Sequence, residues 1–107
     1  MADLATISEA EWDLKVAQAA APVLVDFSAP GCPPCRALHA VLHEIGPALQ
    51  GKLSIYEMDV TQNFDLAGTY GIMANPTMIL FKHGKPVWQY VGAMPKERLL
   101  KELARLI

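Results

Sequence analysis

The chain has 107 residues, 52% of them hydrophobic, with 9 Lys and Arg against 11 Asp and Glu, a formal charge of −2 and a pI near 5.8. This length sets an expectation of one domain spanning residues 1–107, able to bury roughly 65% of its unfolded surface without disulfide staples, and the apolar content excludes a disordered chain. The charge gives no case for nucleic acid or anionic membrane as a partner, and no apolar run approaches the length of a bilayer span. Residues 1–8 contain Asp3 and no basic cluster of the secretory kind, so the expected location is the cytoplasm. In that reducing compartment a close Cys pair is catalytic or metal-binding more often than structural.

Leu4 to Ile7 reads as a short first strand. Ser8 and Glu11 then have the spacing of a capping box, with a helix expected on to Ala20 and Trp12, Val16 and Ala19 along one face. Pro22 ends it. Val23 to Ser28 is the strongest strand signal, apolar except for Asp26 and Ser28, as in a sheet covered on both faces. A helix follows from Cys32-Pro33-Pro34-Cys35 to Leu49, with Leu38, Val41, Leu42 and Ile45 at helical spacing. Gly46-Pro47 predicts a kink or late break and Gly51 a stop.

Leu53 to Val60 alternates as a strand. Thr61 to Gly71 holds a short helix capped by Thr61 or Asn63. Asn75-Pro76 interrupts the chain before a strand at Thr77 to Lys82. His83-Gly84 is a hairpin turn into a strand at Val87 to Val91, ended by Gly92. Pro95 opens a last helix, Lys96 to Ile107, with Leu99, Leu100, Leu103 and Leu106 inward. Parallel crossovers followed by an antiparallel hairpin predict an α/β fold, a mixed sheet with helices on both faces.

Chemistry concentrates at Cys32 and Cys35, the only two cysteines. A helix N-terminus offers unpaired amides and partial positive charge, which stabilise the reactive thiolate. A second cysteine one turn later can close on the first as a disulfide. Thiol–disulfide exchange is therefore expected, against the alternative of two inert buried cysteines.

Two further alternatives stay open at this level. Asp26 is either a buried carboxylate or, with Ser28, part of a solvated strand face. Cys35, His39 and His43 recur every four residues, which raises a zinc reading. His43 would stand near 12 Å along the axis from Cys35, too far for one ion, so only a Cys32–Cys35–His39 site survives.

Asp26 in its apolar strand, the Cys-x-x-Cys pair, Asn75-Pro76-Thr77, Lys82-His83-Gly84 and Val91-Gly92-Ala93 together resemble the thioredoxin family over nearly the whole chain. The resemblance implies a mixed sheet with four flanking helices and a protein that reduces disulfides in other proteins. It implies no cofactor and a monomer, with disulfide-containing targets as partners and a thioredoxin-reductase-like electron donor. Carried over, Cys32 is the nucleophile, Cys35 the resolving thiol, Asp26 the buried carboxylate assisting Cys35, and Pro76 a cis-proline. Gly31, Pro33, Pro34, Asn75, Pro76, Gly92 and Ala93 would form the substrate-binding surface.

The departures from the family pattern carry their own expectations. Gly31 and Ser28 replace two tryptophans, giving a flatter and less apolar docking surface. Met73, Met78 and Met94 are either adaptable contacts at that surface or core filler. Pro33 replaces a glycine and removes an N–H that otherwise faces the Cys32 sulfur. Asn75 replaces an apolar residue, which points to altered specificity. Glu57 stands where the family has a lysine and, if it faces Asp26, couples to it by like charge and modulates its titration.

Overall fold

The computed structural model describes residues 4–107, so the part of the N-terminal stretch before Leu4 lies outside the described residues. A five-stranded sheet in the order β1-β3-β2-β4-β5 is built from β1 (Ala5–Thr6), β2 (Val23–Ser28), β3 (Ser54–Asp59), β4 (Thr77–Lys82) and β5 (Lys85–Val91). β1, β3 and β2 run parallel, and β4 is antiparallel to both β2 and β5. Helices α1 (Pro33–Leu49), α2 (Phe64–Thr69) and α3 (Lys96–Leu106) join a first helical segment before β2 to make four flanking helices. This is the mixed α/β architecture the resemblance implies.

β2 is central and buried at all six positions, because helices cover both sheet faces. On one face Leu24, Met78 and Leu80 pack against Leu38, Leu42 and Ile45 of α1 and Leu99 and Leu103 of α3. On the other, Val23, Val25 and Phe27 pack with Ile79 and Phe81 against Trp12 and Val16. Trp12 anchors this second layer, its ring 5.1 Å from Phe81 and 5.5 Å from Tyr70. The exposed-strand alternative for Asp26 and Ser28 is overturned, since both are buried on β2.

The first helical segment differs from the regular helix expected to Ala20. It is a 3₁₀ turn, Glu9–Glu11, followed by a π-helical stretch, Asp13–Ala17. Tertiary bonds claim its first turn. The Glu9 N–H donates to the Asn63 side chain (2.9 Å), and the Glu9 carboxylate accepts from the Leu66 N–H (3.1 Å). Ser8 and Glu11 pair as expected, the Glu11 carboxylate accepting from the Ser8 N–H at 3.0 Å.

Elsewhere the differences are at ends. α1 runs through Gly46-Pro47 to Leu49 without a break, because in the last turn Pro47 forfeits a single helical hydrogen bond. Asn63 occupies the N-cap of α2, but its side chain accepts from Glu9 and donates to the Asp59 carbonyl rather than capping. β5 starts at Lys85, two residues before the expected Val87, because on an edge strand Pro86 needs no inward N–H. Gly84 is required in the β4–β5 turn. Its φ is +78°, and a Cβ there would stand 2.8 Å from the Ala17 carbonyl oxygen.

Candidate active site

β2 ends at Ser28, and four residues later the chain reaches Cys32 at the start of α1, so the strand delivers the Cys pair to the C-terminal end of the central strand. Gly31 makes the turn with φ +68°, a conformation in which a tryptophan would be strained. Cys32 is the N-cap of α1, and Pro33 and Pro34 fill the first two helical positions, where no N–H is needed. Cys32 and Cys35 are disulfide-bonded, with Cα atoms 5.2 Å apart.

The two sulfurs differ in surroundings. Cys32 is partly exposed, whereas Cys35 is 3% exposed. The Cys35 N–H donates to the Cys32 Sγ at 3.2 Å, and the Arg36 N–H donates to the Cys32 carbonyl at 3.1 Å. The amide that reaches the sulfur is thus three residues on, as N-cap geometry favours. Pro33 removes an N–H from the first turn, but the bond made to Sγ comes from Cys35.

On the outer side of Cys32 stands the turn before β4. The Asn75–Pro76 peptide is cis, and the Asn75 carbonyl oxygen lies 3.8 Å from Cys32 Sγ. In the reduced protein the Cys32 thiol is the group that can donate to it. The Pro76 carbonyl accepts from the Gly92 N–H at 2.8 Å, which ties the end of β5 to the same turn. Asn75 and Ala93 are exposed there, and Pro76 is buried. Of the three methionines, Met78 and Met94 are core, and Met73, two residues before Asn75, is 96% exposed.

On the inner side lie the carboxylates. Asp26 is 0% exposed, and neither of its oxygens has a hydrogen-bond partner. Its cross-strand neighbour in register on β3 is Glu57. Burial raises the Asp26 pKa to about 7, the Glu57 charge adds to the rise, and His39 opposes it. The Glu57 carboxylate is itself held by His39 of α1, with Nδ1 3.0 Å from Oε2.

A cleft of about 690 Å³ opens on this inner side. It is lined by Gly31, Ser28 and Cys35 together with Arg36, His39 and Glu57, among others. The sequence indicated each of these except Arg36 separately, but not this grouping. The one available signal was the four-residue step from Cys35 to His39, which puts both on one face of α1. Among the described residues, no three His, Cys, Asp or Glu side chains are grouped to hold a metal ion.

The arrangement supplies a disulfide at a helix N-terminus, a partly exposed sulfur beside a backbone carbonyl, a shielded sulfur, and a buried carboxylate of raised pKa on the strand that leads to the pair. The family model that matches the chain, over residues 3–105, is described as Thioredoxin. A thioredoxin of Alicyclobacillus acidocaldarius is 40% identical over 102 residues, 95% of this chain and 96% of that protein. Thioredoxin 1 of a Nostoc species is 36% identical over 105 residues, 98% of each chain. The chloroplastic thioredoxin M4 of Arabidopsis thaliana is 35% identical over 105 residues, 98% of this chain, which spans only 54% of that longer protein.

Proposed function

We propose that this chain, which belongs to the thioredoxin family and is a thiol–disulfide oxidoreductase, works as a reductant of protein disulfides. The observation that carries this reading is the asymmetry of the pair, with Cys32 partly exposed at the α1 N-terminus and Cys35 buried behind it. The Cys32 thiolate, which accepts the Cys35 N–H, attacks one sulfur of the target disulfide. A mixed disulfide forms and the other target sulfur leaves as a thiolate that takes a proton from solvent. Cys35, deprotonated by Asp26, then attacks Cys32 Sγ. The Cys32–Cys35 bond forms, the bond to the target breaks, and the target is released as a dithiol while this protein carries the disulfide.

Docking uses the outer side. An extended target segment lies against the Asn75 backbone beside Cys32, with Gly31, Pro33, Pro34, Pro76, Gly92 and Ala93 around it. Exposed Met73 adds an adaptable apolar contact at its rim. The cycle closes with a thioredoxin-reductase-like donor that returns two electrons to the Cys32–Cys35 bond. The protein acts as a monomer of one domain in the cytoplasm, where the reducing environment holds such a carrier ready. No helix among the described residues is long and apolar enough to cross a membrane.

The test is the reduction potential of the pair, measured by equilibration with thiol–disulfide buffers and thiol trapping. A value near −270 mV, that of a general thioredoxin-type reductant, is expected. A value above about −200 mV would transfer the assignment to oxidation or isomerisation of disulfides.

A further inference from the structure

We propose that His39 and Glu57 form the proton exit for the reaction at Cys35, carrying the proton taken up by Asp26 into the inner cleft. The inference rests on the assignment of Cys35 as the resolving thiol and Asp26 as its base.

Three observations carry it. Asp26 is fully buried, its oxygens are unbonded, and it does not line the cleft, so its proton reaches solvent only through a neighbour. The neighbour in register is Glu57, held at 3.0 Å by His39. Side-chain exposure then rises outward, from 0% at Asp26 to 22% at Glu57 and 31% at His39. The three form a graded path from the buried base to the cleft.

The cleft also explains why the path lies on this side. Its lining includes Cys35 and, at the border with the docking face, Gly31, but not Cys32, Asn75, Pro76 or Gly92 of the outer docking face. A target covalently held at Cys32 covers the outer face and leaves the inner one open. The other charged groups that face the path are Arg36 of α1, Asp59 of β3 and Glu11 of the first helical segment. Glu11 is paired with Lys15 at 2.6 Å.

The step balances as follows. Cys35 S–H gives its proton to the Asp26 carboxylate, and the Cys35 thiolate attacks Cys32 Sγ as the mixed disulfide breaks. Two thiols of this protein are thereby oxidised to a disulfide, and the target is reduced. The Asp26 proton passes to Glu57, its neighbour in register, directly or by way of water entering from the cleft. Glu57 passes it to His39 Nδ1, and the imidazole releases a proton from its other nitrogen into the cleft. Net, one proton leaves and Asp26 is again a carboxylate.

The experiment mixes the reduced full chain with excess dithiobis(nitrobenzoate) by stopped flow, between about pH 5.5 and 9. The first nitrothiobenzoate released reports attack by Cys32, and the second reports resolution by Cys35. In His39→Ala and His39→Gln the second phase is expected to slow about tenfold, a small part of the range general acid–base groups supply. Millimolar imidazole, which fits the cleft, is expected to restore most of the rate in His39→Ala and leave the original protein unchanged. Far-UV circular dichroism checks that each variant is folded, and an unchanged first phase that attack by Cys32 is intact. Resolution within about twofold of the original in either variant, or slowing that imidazole does not relieve, would overturn the proposal. If the unsubstituted protein shows no second phase, the assignment of Cys35 itself fails, a separate outcome.

Discussion

On its outer side the Cys32–Cys35 bridge meets main chain. The Asn75 carbonyl stands 3.8 Å from Cys32 Sγ, and the Pro76 carbonyl binds the Gly92 N–H. On its inner side Cys35 shares a cleft with His39 and Glu57, and Asp26 lies buried beside Glu57 in the β2–β3 register. A surface made of backbone presents the same polar groups to any extended segment. An interior made of ionisable groups controls when a proton moves, and each of its members is individually replaceable. Positions that depart from the family pattern fall on both sides of the bridge, Asn75 on the outer and Ser28 and Glu57 on the inner.

The comparison breaks most sharply at the cysteines. Cys32→Ser is expected to abolish disulfide reduction. Cys35→Ser is expected to retain the first attack and accumulate a mixed disulfide with the target, visible by mass spectrometry. Accumulation in Cys32→Ser instead would reverse the two roles.

Asp26 comes next, because its burial links stability to pH. Its pKa is raised from 3.8 unfolded to about 7 in the folded, oxidised protein, so the native state holds the proton more tightly than the unfolded one. The stabilisation is complete below about pH 4 and is lost as pH rises through about 7, a difference of about 4 kcal/mol. Asp26→Asn is expected to flatten that slope and to be the more stable protein at pH 8. Denaturant unfolding across pH checks it, and an unchanged slope would mean Asp26 titrates normally.

Smaller effects separate the neighbours of Asp26. Glu57→Gln removes the like charge and should lower the Asp26 midpoint, whereas His39→Ala removes a group that lowers it and should raise the midpoint. NMR titration of Asp26 reads both, and shifts of the same sign would contradict the arrangement. The smallest effect is expected on the outer side. Asn75→Ile should change KM for protein disulfides severalfold, with little change toward a small disulfide, because only an extended target spans that turn.

These regions were unequally legible in the sequence. On the outer side, local signals gave the Cys pair at a helix start and Pro at positions that need no N–H, whereas the cis Pro76 and the docking role of Asn75, Gly92 and Ala93 came only with the resemblance to the family. The near-continuous apolar run of β2, the alternation of β3 and the leucine spacing of α1 and α3 gave the sheet, its covered faces and most element bounds within a residue or two. The first helical segment was misread because Glu9 bonds to Asn63 and Leu66, far along the chain, and these contacts outweigh helical periodicity. Glu57 was visible as a like-charge neighbour, but its partner was not. His39 read as a surface or boundary residue, with a metal site as the lesser alternative, and neither reading placed it on Glu57.

By itself, then, the sequence determined the fold, the redox pair and the kind of chemistry, because hydrophobic period, proline placement and a cysteine spacing act over a few residues. Tertiary structure alone decided that Asp26 and Ser28 are buried, that Asp26 and Glu57 stand in register, and that His39 closes on Glu57 across a helix–sheet interface. Charge and burial depend on what lies within a few ångströms in space. The register of β2 on β3 and the rotation of α1 are settled only when the whole core packs.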